Sequence, residues 1–276
     1  MNNIKLNVNP SLPSHLSRLP PPPLRYIFLD KVNSTQDAII PFIQDSNEKA
    51  VFLSARIQHH GRGRKNDDWF SPEGGFWGTL AIPLPNILST QQFIFLHYAV
   101  VSILKRMISE EFHIPVKIKW PNDLVIISEN RINKLRKLGG ILLEVISTPE
   151  KHILLIGMGI NFNNSSTNFP ENLKNTTVSV SDLIDYHVNI QNFAKKNIPT
   201  ILAEIWKNVI TNFSSKTKNQ LKKEYNQNLY NLGTKIEGKE GKGFKLKGIN
   251  DSGYLLLESK SMEEYLEIGD FEELNS

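Results

Sequence analysis

The chain has 276 residues, 39% hydrophobic and 22% charged, with a formal net charge of +4, a globular composition with enough apolar residues for a sizeable core. It has no cysteine, which excludes disulfides and thiol catalysis and is compatible with a reducing, cytoplasmic setting. No apolar run approaches the ~18 residues that span a bilayer, and a pI near 9.0 permits an anionic partner without requiring nucleic acid or a membrane surface.

Residues 1–23 are polar and rich in proline, and end in the four prolines Pro20–Pro23. They read as a flexible arm that stiffens at those prolines. They lack the apolar centre of a secretory signal and are too short for a helix-turn-helix DNA-binding domain. From Leu24 strand-like and helix-like runs alternate. The strand candidates are "LRYIFLD", "AVFLSAR", "WGTLAIP", "VKIKW", "DLVII", "GILLEVI" and "HILLIGMGI", all short, rich in β-branched residues and flanked by turn formers. Helices are expected over Ser34 to Gln44, Thr90 to Glu111 with Thr90 as cap, Ser179 to Asp185, and Thr200 to Tyr230 in two pieces. This predicts an α+β fold over residues 24–231, a mixed β-sheet layered with helices. From Leu232 onward the runs are short and alternating with no helical period, which predicts a small antiparallel barrel over residues 232–276. Its lysines read first as a solvated face and second as a nucleic-acid surface.

Four stretches carry more than a fold needs. "GRGRKNDDWFSPEGGFWG", residues 61–78, holds five glycines, two arginines and two tryptophans where a plain strand connection takes only a few residues. Gly61 and Gly63 permit close backbone approach, Arg62 and Arg64 are permanent cations with forks suited to carboxylate or phosphate, and Trp69 offers a flat face. A mobile loop with solvated arginines explains the composition equally well. "VKIKWPNDLVII" is a tight hairpin with Lys119 and Asp123 at its neck. "KLGGILLEV" opens a strand with two glycines, which weakens it unless something approaches the backbone; Lys137 stands at its entrance. "IGMGIN" ends a glycine-bearing strand in Asn161, without the third glycine of a dinucleotide fingerprint, and no Walker A loop occurs. Adjacent His59 and His60 have no supporting carboxylate or cysteine cluster and read as turn residues rather than metal ligands.

Taken in order, "NST" (Asn33 to Thr35), "GRGR", "WFSPEGG", "KWPND", "KLGGILLE" and "IGMGIN" resemble the motifs of the biotin protein ligase family, in its monofunctional form without an N-terminal DNA-binding domain. The resemblance runs from about Leu24 to the C-terminus. It implies a class II aminoacyl-tRNA-synthetase-like catalytic domain followed by an SH3-like C-terminal barrel. It also implies a reaction in which biotin and ATP, with Mg²⁺, give biotinyl-5′-adenylate, and a lysine of a biotin carboxyl carrier domain then takes the biotin.

By that resemblance, Lys137 bridges the biotin carboxylate and the α-phosphoryl oxygens, with Arg64 and Asp123 as further catalytic residues. Ser34, Thr35, Gln36 and Gln58 surround the ureido ring. Gly61, Arg62, Gly63 and Arg64 form a glycine-rich lid that orders over biotin, and Gly140 and Gly159 let backbone come close to it. Arg62, Arg64, Trp69, Lys137 and Asn161 serve the adenylate, and Mg²⁺ is held mainly by the ATP phosphates. The protein is then a cytoplasmic monomer or homodimer that binds neither DNA nor membrane. Three departures stand out. Asp67, followed by Asp68, replaces a basic residue, so these acids must turn outward or help bind Mg²⁺. The loop after "KWPND" is long, which leaves Lys134 as a second candidate for the Lys137 role. Gln36 replaces asparagine. The rival readings are a lipoate-type ligase of related chemistry and a non-catalytic regulator binding biotin or nucleic acid.

Overall fold

A computed structural model describes residues 19–44, 49–64, 67–128, 134–149, 151–165, 167, 169–237, 243–259 and 263–266. The larger sheet has eight strands: β1 (Leu24–Val32), β2 (Ala50–Arg62), β3 (Asp68–Ser71), β4 (Phe76–Leu84), β5 (Lys117–Lys119), β6 (Asp123–Ser128), β7 (Lys134–Ser147) and β8 (His152–Ile160). Their order is β1-β2-β4-β8-β7-β6-β5, and β3 folds back onto the end of β2. β1 and β2 are parallel and every other pair is antiparallel. The sheet is therefore mixed, as the sequence predicts.

Strand periodicity divides its side chains between two faces. On one, Phe52, Leu80, Leu154 and Ile156 meet the long helix α3 (Thr90–Phe112), α5 (Ile190–Ile205) and α6 (Ser215–Asn228) in the main core. On the other, Val51, Leu53, Ile153 and Leu155 pack under the short helices α1 (Thr35–Ala38) and α2 (Ile40–Gln44) through Ile39 and Ile43. These helices stand where one helix over Ser34 to Gln44 is expected. A four-residue helix α4 (Glu171–Lys174) lies between β8 and α5.

Several predicted boundaries shift. α3 is capped by Ser89 rather than Thr90: the Ser89 hydroxyl accepts from Gln92 N while the Gln92 side chain returns to Ser89 N, a reciprocal box that satisfies two end donors. The helix expected at Ser179 to Asp185 is a single 3₁₀ turn, Val180–Asp182. α5 begins at Ile190 behind an Asn189 cap and carries Pro199 in its interior, and a π turn, Trp206–Ile210, follows it. β3 has no counterpart in the predicted elements.

Of the N-terminal arm, residues 1–18 lie outside the described residues; Leu19 is held where its carbonyl accepts from Trp206 Nε1 at 2.9 Å. At the other end β9 (Lys235–Glu237), β10 (Gly243–Ile249), β11 (Leu255–Glu258) and β12 (Glu263–Leu266) form a four-stranded antiparallel sheet in the order β12-β11-β10-β9. This is a small antiparallel sheet where a closed barrel is expected. Phe244, Leu246, Ile249, Leu255 and Leu257 from it join the main core. Among the described residues no helix is long and apolar enough to cross a membrane.

Candidate active site

The cleft begins where the α1–α2 face of β8 loses its side chains. Alternate residues Ile153 and Leu155 fill that face, but the next two in register are Gly157 and Gly159. Gly140 of β7 lies beside Gly159. A cavity of about 260 Å³ opens there. Its walls include Ser34, Thr35, Gln36, Gln58, Arg62, Gly63, Arg64, Trp69, Asp123, Lys137, Gly140 and Gly159, so residues spread over more than a hundred positions of sequence converge on one site.

The glycines in the floor are filled from above. A Cβ on Gly159 would sit 2.7 Å from Trp69 Nε1, and one on Gly157 would sit 3.1 Å from the Gln36 amide carbon. On one wall a polar chain fixes the start of α1 against the β2–β3 hairpin. Thr35 N donates to Gln58 Oε1 at 2.8 Å, Gln58 Nε2 to Ser71 Oγ at 2.8 Å, and Ser71 Oγ to the Trp69 carbonyl at 2.9 Å. Thr79 Oγ1 donates to Thr35 Oγ1 at 2.9 Å. Ser34, Thr35 and Gln36 are buried, and that many polar groups in a dry wall suit a ligand with its own donors and acceptors.

The opposite wall is the Trp120–Asp123 turn, in which the Trp120–Pro121 peptide is cis. Asn122 Nδ2 donates to the Ile141 carbonyl at 2.7 Å, and Asp123 pairs with both Lys119 and Gly140 in register. Lys137 Nζ lies 2.9 Å from Asp123 Oδ1 and 4.7 Å from the centroid of the Trp69 ring, within cation–π range. Lys137 itself lines the cleft; the side chain of Lys134 lies outside the described residues. Arg62 Nη2 sits 3.0 Å from both Asp37 Oδ1 and Glu144 Oε2. Two donors on these walls, Arg62 Nε and Trp69 Nε1, are sealed from solvent without a partner among the described residues. A buried unpaired N–H is unfavourable until an acceptor arrives.

Arg64 approaches a second, half-buried group. His97 on α3 has a sealed, partnerless Nε2, and burial together with the Arg64 charge pushes its pKa down to about 3. Neighbouring Tyr98 is pushed above the usual tyrosine range by burial.

Two expected residues fall elsewhere. Asn161 is not in the cleft wall. It is buried, with Nδ2 donating to the Val178 carbonyl at 3.3 Å and Oδ1 accepting from Asn164 Nδ2 at 2.9 Å; the end of β8 turns it into the protein. Gly61 lies beneath the hairpin, where its close neighbours are the Trp69 carbonyl and Ser71 Oγ rather than open cleft. Asp67 and Asp68 are exposed and line the mouth. Reasoning from sequence passed over Asp37, Ser71, Gly157 and Glu144. Glu144 was findable: it shares a strand face with Gly140, four residues earlier, and is an acid in an otherwise apolar run.

A mixed sheet with its floor cut away by glycines carries one cleft with two arginines, a lysine and a polar wall around it, an arrangement whose chemistry suits an anionic small molecule. Residues 28–161 are similar to the biotin/lipoate A/B protein ligase family; that span contains every site residue from Ser34 to Asn161. The human "Biotin--protein ligase" is 26% identical over 231 residues, covering 80% of this chain and 30% of that protein. The "Bifunctional ligase/repressor BirA" of Bacillus spizizenii is 32% identical over 158 residues, covering 56% of this chain and 46% of that protein. The chain thus spans less than half the length of these curated relatives. The structure of the Aquifex aeolicus biotin protein ligase in complex with biotin and ATP shares the fold, with a TM-score of 0.66 at 24% identity over 88% of this chain and 95% of that one.

Proposed function

We propose that the chain is an ATP-dependent biotin protein ligase that biotinylates a lysine of a biotin carboxyl carrier domain. The observation that carries this reading is the convergence of Arg64 and Lys137 with the buried Ser34–Gln36 wall and the Gly140–Gly159 floor in one cleft. In the first step a biotin carboxylate oxygen bonds to the α-phosphorus of ATP as the bond to pyrophosphate breaks. Two anions must meet, so fixed cations that need no reorganisation lower the barrier; Lys137 and Arg64 supply them. In the second step the neutral acceptor amine attacks the biotinyl carbonyl carbon, the C–O bond to AMP breaks, and an amide remains. Asp123 Oδ1, held 2.9 Å from Lys137 Nζ, is placed to take the proton that this amine sheds. Trp69 Nε1 and Arg62 Nε, both without partners, are donors for ligand oxygens.

Mg²⁺ accompanies the triphosphate and takes oxygen ligands, commonly one or two carboxylates plus phosphates. The exposed carboxylates of Asp67 and Asp68 at the mouth are of that kind. Residues 24–231 are read as the catalytic unit, of class II synthetase-like build, and residues 232–276 as an SH3-like module whose strands β10 and β11 share the main core. The same reading takes the protein to be a cytoplasmic monomer or homodimer without a DNA-binding role. Gel filtration and a salt-titrated DNA-binding assay test these last two points.

The deciding experiment incubates the purified chain with labelled biotin, MgATP and a carboxyl carrier domain. Pyrophosphate release that needs both small molecules, followed by label on the acceptor lysine, is expected. Release with lipoate but not with biotin would move the chain to the lipoate branch. No release with either would end the ligase reading.

A further inference from the structure

Among the described residues, Arg62 is the one cleft cation whose guanidinium is shared between two carboxylates from separate elements. Asp37 belongs to α1, directly after the buried Ser34–Gln36 wall. Glu144 belongs to β7 and follows Gly140 and Leu142 on the same strand face. Arg62 Nη2 lies 3.0 Å from an oxygen of each, so the end of β2 is tied both to α1 and to the floor strand β7. The guanidinium is planar, and fixing Nη2 at two points also fixes the direction of Nε–H. That Nε is sealed from solvent and has no partner among the described residues.

We propose that Asp37 and Glu144 are positioning residues: they hold Arg62 in the cleft lining with its Nε–H presented to an oxygen of the bound acid or its adenylate, and so govern how long the activated intermediate is retained. This rests on the biotin-activating reading of the same cleft. The carboxylates act through Arg62 and touch no reacting atom. All three side chains keep 35% exposure or more, and ion pairs of that kind are weak individually. A weak tie suits a group that must release for ligand to enter and re-form behind it. It also answers a chemical need, because an acyl-adenylate left open to water is hydrolysed.

The test replaces the charges and keeps the shapes, with Asp37→Asn, Glu144→Gln and the double variant. Dissociation of preformed biotinyl-adenylate is followed by chase at low and high salt, with kcat and KM for biotin measured alongside. The double variant is expected to release the adenylate about 3- to 10-fold faster than wild type at low salt, the range two weak ion pairs can supply, with KM raised by more than kcat is lowered. Salt should narrow the gap by screening the wild-type pairs. Equal release rates, or a loss confined to kcat, would overturn the proposal. A second arm needs no ligand: trypsin should cut after Arg62 faster in the unliganded double variant. Unchanged cleavage would also overturn it. Because that arm reads the tie directly, failure of the wild-type chain to form an adenylate would sink the functional reading while this arm still decided the inference.

Discussion

Lys137 carries the sharpest expectation at the scale of single residues. Its ammonium is held between Asp123 Oδ1 at 2.9 Å and the Trp69 ring at 4.7 Å, so its position is set before ligand arrives. Lys137→Ala should slow biotin-dependent pyrophosphate release by ~100- to 1,000-fold, the usual loss for one preorganised charge; near wild-type release would remove Lys137 from the chemistry. The glycines of "GRGR" can now be told apart. A Cβ on Gly61 would lie 2.5 Å from the Trp69 carbonyl, a contact that forces β2 and β3 apart, whereas one on Gly63 would lie 3.2 Å from the Asp67 carbonyl. Gly61→Val should therefore weaken biotin binding, read by calorimetry, far more than Gly63→Val; equal affinities would contradict the hairpin geometry. The cleft-lining residues were legible through the ordered motifs that resemble a known family; composition alone left the "GRGR" segment equally well explained as a mobile loop. What those residues touch was less legible. Gly61 makes room for its own hairpin, Arg62 is tied to acids 25 positions before it and 82 after it, and Asn161 turns inward. Sequence spacing shows that a backbone must come close to something, but not to what.

At the scale of elements, strand periodicity and turn chemistry located every predicted strand, since short β-branched runs between turn formers leave little choice. β3 was illegible because Asp68–Ser71 has no such run and becomes a strand only by pairing back onto β2. The expected helix start at Thr200 falls inside α5, which begins at Ile190; burial of Phe193, Ile198 and Ile201 holds the helix through Pro199. α3 shows how one element ties distant parts together. Its Tyr98 hydroxyl donates to the Gly253 carbonyl in the turn between β10 and β11 and accepts from Trp120 Nε1 at 3.1 Å, in the turn that presents Asp123. Tyr98→Phe keeps the ring and strands both partners in a dry interior, which should lower stability by about 1–3 kcal/mol in denaturant unfolding. A second effect is expected in kcat rather than in KM for biotin, since the turn holds Asp123 and not the ureido wall. A variant as stable as wild type would mean that water replaces the hydroxyl at no loss.

For the whole molecule, the sequence suggested two units and the structure joins them through one core. α3 lies between the large sheet and the C-terminal strands, with Phe244, Leu246 and Leu255 in the same apolar cluster as Phe95 and Leu104. The boundary near Leu232 was legible as a change of pattern. The shared core was not, because composition does not say which apolar faces meet. Within that interior sits His97, whose ring keeps some accessible edge while Nε2 is sealed and unpaired. Burial, with the Arg64 charge adding to it, moves its pKa from 6.5 down to about 3. The folded chain thus refuses a proton that the unfolded chain binds below pH 6.5. Above that pH the histidine is neutral in both states and contributes no pH dependence. As pH falls toward 3, stability should decline by at most about 1.4 kcal/mol per pH unit from this one group. The window from pH 6.5 to 5 lies above the usual carboxylate range, so there the decline can be isolated by comparison with His97→Gln. Across that window wild type should lose up to about 2 kcal/mol more than the variant in urea melts at fixed ionic strength. Parallel stability curves for the two proteins would show that His97 titrates normally in the folded chain and that its surroundings admit water.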